Sequence, residues 1–403
     1  TDNSARRLRA KTLLSSVALS FSAPAEDTVH PERAAQIAHL SKHATWKAAA
    51  HPRFAAYAPG ASSTLMGVKG NWVEDLREAI RMGEIEEYAS HPDILAVAVP
   101  DAFDSSANWP ACSKTLNDIR DQSNCGCCWA FGGAEAASDR MCIATKGKLQ
   151  MPLSANDVCF NAGGLFSSGC DGGQISTPWS FIKSHGVVTG GNYNGTGPFG
   201  GGWCSAFPLP HCHHHGPQRN DPYPAEGAPG CPPERSPPGP RKCDADATGD
   251  HAAFKADRYT FSGAVQSASG ATRIKQMIME GGPVETAFTV YSDFENYVSG
   301  VYKHVSGSAA GGHAVKIVGW GVEGGQEYWK ASSKYKYTVL LGSVTFITYL
   351  LTYSLAWKVA NSWNPHWGEG GYFRIAPGQG GIDDRVIGSA NSATWHKKTA
   401  EAP

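Results

Sequence analysis

The sequence predicts an α+β protein, and three observations carry that expectation. Apolar residues recur at helical spacing in separate places, as at Trp72, Val73, Leu76 and Ile80. A compact apolar run, Ala314 to Trp320, has the character of a buried strand. Between them lies a stretch dense in Gly, Pro and Cys, which suits turns and long ordered loops and not a helical bundle. With 403 residues the chain can hold one large domain or two to three ordinary ones.

The elements follow in order. Arg6, Arg7, Arg9 and Lys11 precede the small and apolar residues Leu13 to Ala23, and Ala23-Pro24-Ala25 follows. That pattern reads as an export signal over residues 1–25. Residues 26–100 contain no cysteine, and two helices are expected there, over Gln36–Ala50 and Asn71–Ile80, with Gly83 as a stop. A helical leader without cysteine before a Cys-rich body reads as a separable, inhibitory pro-region. From Asp101 onward Gly, Pro, Trp and Cys become frequent. Residues 192–250 show little apolar periodicity, and Cys204, Cys212, Cys231 and Cys243 supply covalent staples to that run. Beyond Ala253 regular patterns return, with Ile274–Met279 helical in type. The body therefore divides into residues 101–250 and 251–390, with a tail over 391–403.

Composition narrows the function. The 35 Lys and Arg nearly balance 36 Asp and Glu, so net charge gives a nucleic-acid partner no support. Eleven cysteines, clustered in a Gly- and Pro-rich region, indicate a disulfide framework and hence an oxidising compartment. Their odd number leaves at least one thiol unpaired within the chain.

Asp121-Gln122-Ser123-Asn124-Cys125-Gly126-Cys127-Cys128-Trp129-Ala130-Phe131 is the chemically informative segment. Ala134, Ala136, Ala137 and Met141 after it read as a helix, which puts Cys128 at a helix N-terminus. The unsatisfied N–H groups and the dipole there favour a thiolate, the nucleophilic form. A redox reading of Cys125-Gly126-Cys127-Cys128 is weaker, because Trp129 follows the pair and no βαβ pattern surrounds it.

Residues 121–131 resemble the signature of papain-like cysteine peptidases, and the resemblance continues in order along about 250 residues. Gly169-Cys170-Asp171-Gly172-Gly173, Gly311-Gly312-His313-Ala314, Asn361-Ser362-Trp363 and Trp367-Gly368-Glu369-Gly370-Gly371-Tyr372 are similar to the family's later motifs. The resemblance implies a papain-like two-domain fold, with a helical left domain, a β-barrel-like right domain and a cleft between them. It implies peptide hydrolysis with no cofactor and no metal. Cys128 would be the nucleophile, His313 its proton acceptor and later donor, and Asn361 the residue orienting the imidazole. Trp363 would shield that pair from water. Gln122 would complete an oxyanion hole, in which one donor supplies roughly 3–4 kcal/mol. Gly172, Gly173 and Gly312 would let a substrate backbone approach closely.

Within the family the chain resembles cathepsin B. His211-Cys212-His213-His214-His215 carries a Cys-x-His-His element similar to that group's occluding loop, here about residues 204–231. Adjacent histidines cannot all reach one tetrahedral metal site, so the loop reading is preferred over a zinc reading. His214 and His215, cationic at acid pH, would hold a substrate's C-terminal carboxylate, giving dipeptidyl carboxypeptidase beside endopeptidase activity. Asp121 matches the carboxylate that pairs with His214, and Arg219 is a weaker second anchor. Asp383 matches an acidic residue at the base of the S2 pocket. The implied disulfides are Cys112–Cys142, Cys125–Cys170 and Cys212–Cys231, with Cys243 bridged to Cys159 or Cys204. Partners would be peptide and protein substrates and cystatin-like inhibitors. The protein would be monomeric and lysosomal or secreted, with Asn194-Gly195-Thr196 open to glycosylation.

Three departures stand out. Cys127 occupies a position where the family has Ser or Ala, which puts two thiols side by side. The cysteine set is incomplete, so one of Cys159 or Cys204 should lack a partner. Residues 331–358 interrupt a family-like Tyr-Trp-Lys-Val-Ala-Asn, since both Trp329-Lys330 and Trp357-Lys358 fit its Trp-Lys. Thr338 to Trp357 carries no charge and has the length of a membrane span, about 20 residues. A span between His313 and Asn361 would split one folding unit, so no membrane is expected and the segment reads as an insertion at a β-hairpin or an error in the gene model. The alternative function is a catalytically impaired homologue that binds peptides or inhibitors.

Overall fold

The computed structural model describes residues 29–89, 98–164, 167–211, 234–323 and 354–398. The N-terminal segment opens with α1 (Pro31–His43), where Pro31 takes the first helical position. The helix expected over Gln36–Ala50 ends at His43. Trp46 is then buried, donating its indole N–H to the Lys303 carbonyl at 2.8 Å. Lys47–Ala48 becomes a short strand, β1. Anchoring one large aromatic side chain outweighs the helical propensity of the alanines beyond it. The second helix, α2 (Trp72–Arg81), starts after Asn71, whose side chain accepts from the Val73 and Glu74 N–H groups.

Three helices build one half of the body: α3 (Cys128–Ala144), α4 (Ala155–Asn161) and α5 (Thr177–His185). The sequence of α3 is rich in Ala and Gly, and the helix is buried on every side. A Cβ on Gly133 would strike the Pro178 ring, so α5 packs directly on the α3 backbone. A further body helix, α6 (Ala271–Gly281), contains the expected Ile274–Met279.

The strands after β1 are β2 (Glu86–Glu87), β3 (Phe103–Asp104), β4 (Tyr259–Ser262), β5 (Val265–Ala268), β6 (Val284–Tyr291), β7 (Tyr297–Ser299) and β8 (Val301–Tyr302). They continue with β9 (Ala309–Glu323), β10 (Ser354–Ala360), β11 (Tyr372–Ile375), β12 (Val386–Ser389) and β13 (Thr394–Lys397). One sheet runs β2-β5-β12-β6-β9-β10-β11-β8, with β3 added on β9. This path is open, and not the barrel-like closure the resemblance implied. β4 and β13 pair with each other, and Thr260 on β4 bonds the Ile182 carbonyl of α5. Those strands therefore belong with the helical half.

The long hairpin of β9 and β10 pairs from Lys316↔Ala360 outward to Glu323↔Ser354. Its outer end corrects the boundary expected for the insertion. Residues 354–358 are strand: Trp357 is buried in the sheet core and Lys358 pairs with Asp104. Two Trp-Lys pairs made the boundary ambiguous, and the fold uses the second. Among the described residues no helix is long and apolar enough to cross a membrane.

Among the described residues four disulfides form: Cys112–Cys142, Cys125–Cys170, Cys127–Cys159 and Cys204–Cys243. The open choice for Cys243 falls on Cys204, yet Cys159 is not left over. Its Cα lies 6.1 Å from that of Cys127, within bridging reach, so the expected pair of adjacent thiols is corrected to one. Cys128 is the free cysteine among the described residues. Cys212, His213, His214, His215, Arg219 and Cys231 lie outside the described residues, as does the segment read as an export signal.

Candidate active site

Cys128 is the first residue of α3, its side chain is fully buried, and its Sγ accepts the Gly67 N–H at 3.2 Å. A helix N-terminus favours a thiolate, but burial works harder in the other direction. Desolvation pushes the thiol up to about 11, against backbone N–H groups of Ala314, Gly67 and Trp129, and the nearby Glu285 adds to the rise. In this covered state Cys128 is therefore a neutral thiol.

β9 presents His313 and the end of β10 presents Asn361. The His313 Nε2 lies 2.8 Å from Asn361 Oδ1, which fixes the ring's orientation. The same Oδ1 accepts the Ser362 N–H at 2.9 Å, so the amide is itself held. His313 Nδ1 has no hydrogen-bond partner among the described residues. Trp363 lies over the ring with centroids 5.1 Å apart. Burial pushes the imidazole down to about 4, partly offset by Asn361 and aided by the charge of Arg53. Gln122 is held by Ser362, which donates to its Oε1 at 2.7 Å. Its Nε2 donates to the Cys125 carbonyl at 2.7 Å and the Leu65 carbonyl at 3.0 Å.

The N-terminal segment threads between these groups. Val68 bridges both lips, parallel to Gly173 and antiparallel to Gly312. Gly173 N–H donates to the Gly67 carbonyl at 2.8 Å, Lys69 N–H to the Gly173 carbonyl at 3.0 Å, and Val68 N–H to the Gly312 carbonyl at 3.0 Å. A Cβ on Gly67 would land on the Gly126 carbonyl, so only glycine passes there. Phe54 packs edge-on to Trp363, and Arg53 donates to the Ser123 carbonyl at 2.9 Å.

The sequence profile of the papain family cysteine proteases matches residues 99–339 and 342–391. The chain belongs to the papain family of cysteine proteases. It is 37% identical over 308 residues to cathepsin B-like cysteine proteinase 6 of Caenorhabditis elegans, covering 75% of this chain and 69% of that protein. Cathepsin B-like cysteine proteinase 5 of the same organism is 39% identical over 314 residues, with 75% and 79% covered. The fold is similar to procathepsin B S9 from Trypanosoma congolense, with a TM-score of 0.62 at 24% identity over 88% of this chain and 96% of that one. The chain is thus a cysteine-type peptidase of cathepsin B-like kind.

The other residues that the family resemblance singled out sit as follows. Asp121 is buried, its Oδ1 accepting from the Ser123 N–H at 2.8 Å and Oδ2 from Asn364 at 3.2 Å. His211 is buried beside Thr196. Asp383 accepts from the Trp357 indole at 3.2 Å and the Gly378 N–H at 2.7 Å, so both its oxygens are engaged. Gly172 and Gly173 form one lip with Cys170, which the bond to Cys125 ties to the loop before α3.

Sequence reasoning missed the residues that cover the site: Leu65, Gly67, Phe54 and Arg53. The Gly67-Val68-Lys69-Gly70 run carries no catalytic residue type, so only its glycines hinted at a close approach. It also missed a buried acidic group under α3. Glu285 accepts from the Trp179 indole at 2.8 Å, and burial holds its carboxyl well above the usual range. Beside it Lys316 pairs with Asp139 at 2.7 Å.

Proposed function

We infer that this peptidase is made as an inactive precursor and, once residues up to about 100 are released, hydrolyses peptides through Cys128 and His313. The observation that supports this best is the contact set of residues 65–69. They place a peptide backbone across both lips, put the Leu65 carbonyl at the Gln122 amide, and turn an N–H toward Cys128 Sγ. A peptide-binding cleft is thus filled by backbone that meets the sulfur with an N–H donor.

Release returns water to the site. The desolvation that keeps the thiol and imidazole neutral is then relieved, and the proton moves from Cys128 to His313. The thiolate attacks the scissile carbonyl carbon, and the oxyanion is held by the Gln122 amide and the Cys128 N–H. The His313 imidazolium protonates the leaving amine, giving a thioester. Water, deprotonated by His313, attacks the thioester, and the thiolate leaves with the acid product. Asn361 keeps the ring in register throughout.

The finer specificity belongs to the same reading. His214 and His215 would hold a substrate's terminal carboxylate and Asp121 would pair with His214, so dipeptides leave from the C-terminus beside endopeptidase cleavage. Asp383, if it lines S2, would admit Arg at P2. Cystatin-like proteins would inhibit, and the enzyme would act as a monomer in a lysosome-like compartment or outside the cell. Epoxide labelling read by mass spectrometry tests the core of this. After acid processing the label should sit on Cys128 and vanish in Cys128→Ala. An unlabelled processed chain would favour the impaired homologue. Asp121→Ala should raise endopeptidase turnover and lower dipeptide release. Equal changes in both would remove the loop reading.

A further inference from the structure

The N-terminal segment touches the body at a second place, away from the cleft. After α2 it runs back as β2, which adds a parallel strand to β5 with Glu86 opposite Gln266 and Glu87 opposite Ser267. The Tyr88 N–H then donates to the Ser267 carbonyl at 2.8 Å. Two side chains anchor the strand. Ile85 joins the apolar cluster built around α3, and Tyr88, only 2% exposed, joins the apolar cluster of the sheet. Glu87 lies between two cations, Arg385 at 2.8 Å and Arg273 at 3.6 Å.

Removing this segment changes the body more here than a surface contact would. β5 becomes a bare sheet edge, since its other side is taken by β12. The Tyr88 slot opens onto apolar side chains. Arg385, 7% exposed with the segment in place, loses its single ion-pair partner among the described residues and keeps only Ser267 Oγ at 3.2 Å. Release of Glu87 leaves Arg385 and Arg273 as two cations beside the empty edge, which favours an anionic occupant. β5 stands three strands from β9, about 14 Å at the usual strand spacing, so occupancy leaves the cleft free.

We propose that the β5 edge of the processed enzyme is a substrate-docking exosite. It binds an extended segment of a protein substrate in which an acidic residue is followed directly by an aromatic one. The segment adds as a strand to β5, its carboxylate meets Arg385 and Arg273, and its aromatic ring fills the Tyr88 slot. Residues 85–88 are the internal copy of that ligand. The proposal rests on reading the N-terminal segment as a pro-region that leaves.

The test uses the full chain, self-processed at acid pH, with Cys128 then blocked by an epoxide. The probe is a fluorescein-labelled peptide of residues 82–90, followed by anisotropy. Saturable binding is expected despite the blocked cleft, weakened about tenfold or more by Glu87→Gln in the peptide or Arg385→Gln in the enzyme. Tyr88→Ala and a scrambled peptide should not bind. In the unblocked enzyme the peptide should raise the KM of a protein substrate carrying the motif and leave a fluorogenic dipeptide substrate unchanged. No binding above the scrambled control, or binding lost on blocking Cys128, overturns the exosite and spares the precursor reading. A retained 29–89 fragment that the peptide cannot displace also overturns it. If mass spectrometry shows that acid pH does not cut the chain before residue 101, both readings fall. The peptide variants decide the matter even if Arg385→Gln fails to fold.

Discussion

Gly67 donates its backbone N–H to Cys128 Sγ across 3.2 Å, so the sulfur meets a hydrogen-bond donor where a substrate would present a carbonyl carbon. Glycine is required because any Cβ would collide with the Gly126 carbonyl. Gly67→Val should therefore lift the segment off the cleft in the uncut chain. Overpacking of this kind costs about 1–3 kcal/mol, which predicts epoxide labelling of Cys128 at pH 7 faster by roughly tenfold or more. A labelling rate equal to that of the parent chain would refute the covering role of residue 67.

His313 gives the covered state a pH dependence whose sign follows from its burial. The folded ring titrates near 4, below the ordinary value of 6.5. Between those values the unfolded chain holds a proton that the folded chain excludes. Stability from this group is thus intact above pH 6.5 and falls as pH drops toward 4, by an order of about 3 kcal/mol. Thermal melts of Cys128→Ala and Cys128→Ala/His313→Gln between pH 7 and 4 check this. The single variant should lose stability more steeply on acidification, and parallel curves would remove His313 as the source.

Glu285 works with the opposite sign. Burial raises its carboxyl well above 4.5, so the folded chain holds a proton that the unfolded chain has released. Its contribution is full below pH 4.5 and is lost as pH rises toward the folded value. Glu285→Gln keeps an acceptor for Trp179 and removes the titration. The variant should match the parent chain at pH 4.5 and exceed it at pH 8.5 in urea unfolding midpoints. Equal losses at both values would mean the carboxylate is charged in the fold.

The residue types that meet in the cleft were legible because their chemistry restricts them: a thiol before Trp129 at a helix start, an imidazole after two glycines, an amide before Ser-Trp. Periodicity also located α2, and an unbroken apolar run located the middle of β9, where residues 313–320 are all buried. What covers the cleft was not legible, because Gly67 and Leu65 act through backbone atoms that every residue carries. Cysteine parity required a free thiol but could not say which, and only the fold brings Cys127 to Cys159. The end of α1 was missed because Trp46 is anchored by β8 and its neighbours, far away in sequence.

The Cys127–Cys159 bond ties the residue before Cys128 to α4, closing a loop of 32 residues. Loops of this size gain about 3–4 kcal/mol from a crosslink. Cys127→Ser should lower the melting temperature and free the Cys159 thiol, while the label stays at one per chain on Cys128. Non-reducing peptide mapping reads the bond directly. A parent digest without a 127–159 crosslinked peptide would contradict the pairing.

Arg33 and Glu295 form a buried ion pair at 2.7 Å that holds α1 to the body. Glu295 also accepts the Gly60 and Ser62 N–H groups, and Asn296 accepts from Arg33 at 2.9 Å. Breaking one side strands a buried charge, at a cost of about 3–5 kcal/mol. Arg33→Met should lower the melting temperature of the uncut chain and leave the processed enzyme's turnover unchanged. A processed enzyme with altered kcat/KM would show that the effect is not confined to the segment.

The segment between β9 and β10 bears on whether Asn361 is in place, and the hairpin answers in register. Paired residues run from Lys316↔Ala360 to Glu323↔Ser354, so the segment departs six β10 residues beyond Ala360, about 20 Å along the strand. Everything that orients Asn361 lies at the near end: its N–H donates to the Gly371 carbonyl at 2.9 Å, and its Oδ1 meets His313 at 2.8 Å. Backbone pairing along the whole hairpin separates that end from the point of departure. Removing residues 331–353 leaves both strands intact, with a seven-residue connection from 324 to 330, and long surface insertions cost little in loop closure. The shortened chain should therefore process and turn over with a kcat/KM within about twofold of the parent. A drop of a hundredfold, with Cys128 still labelled, would instead mean that the segment positions Asn361 despite its distance.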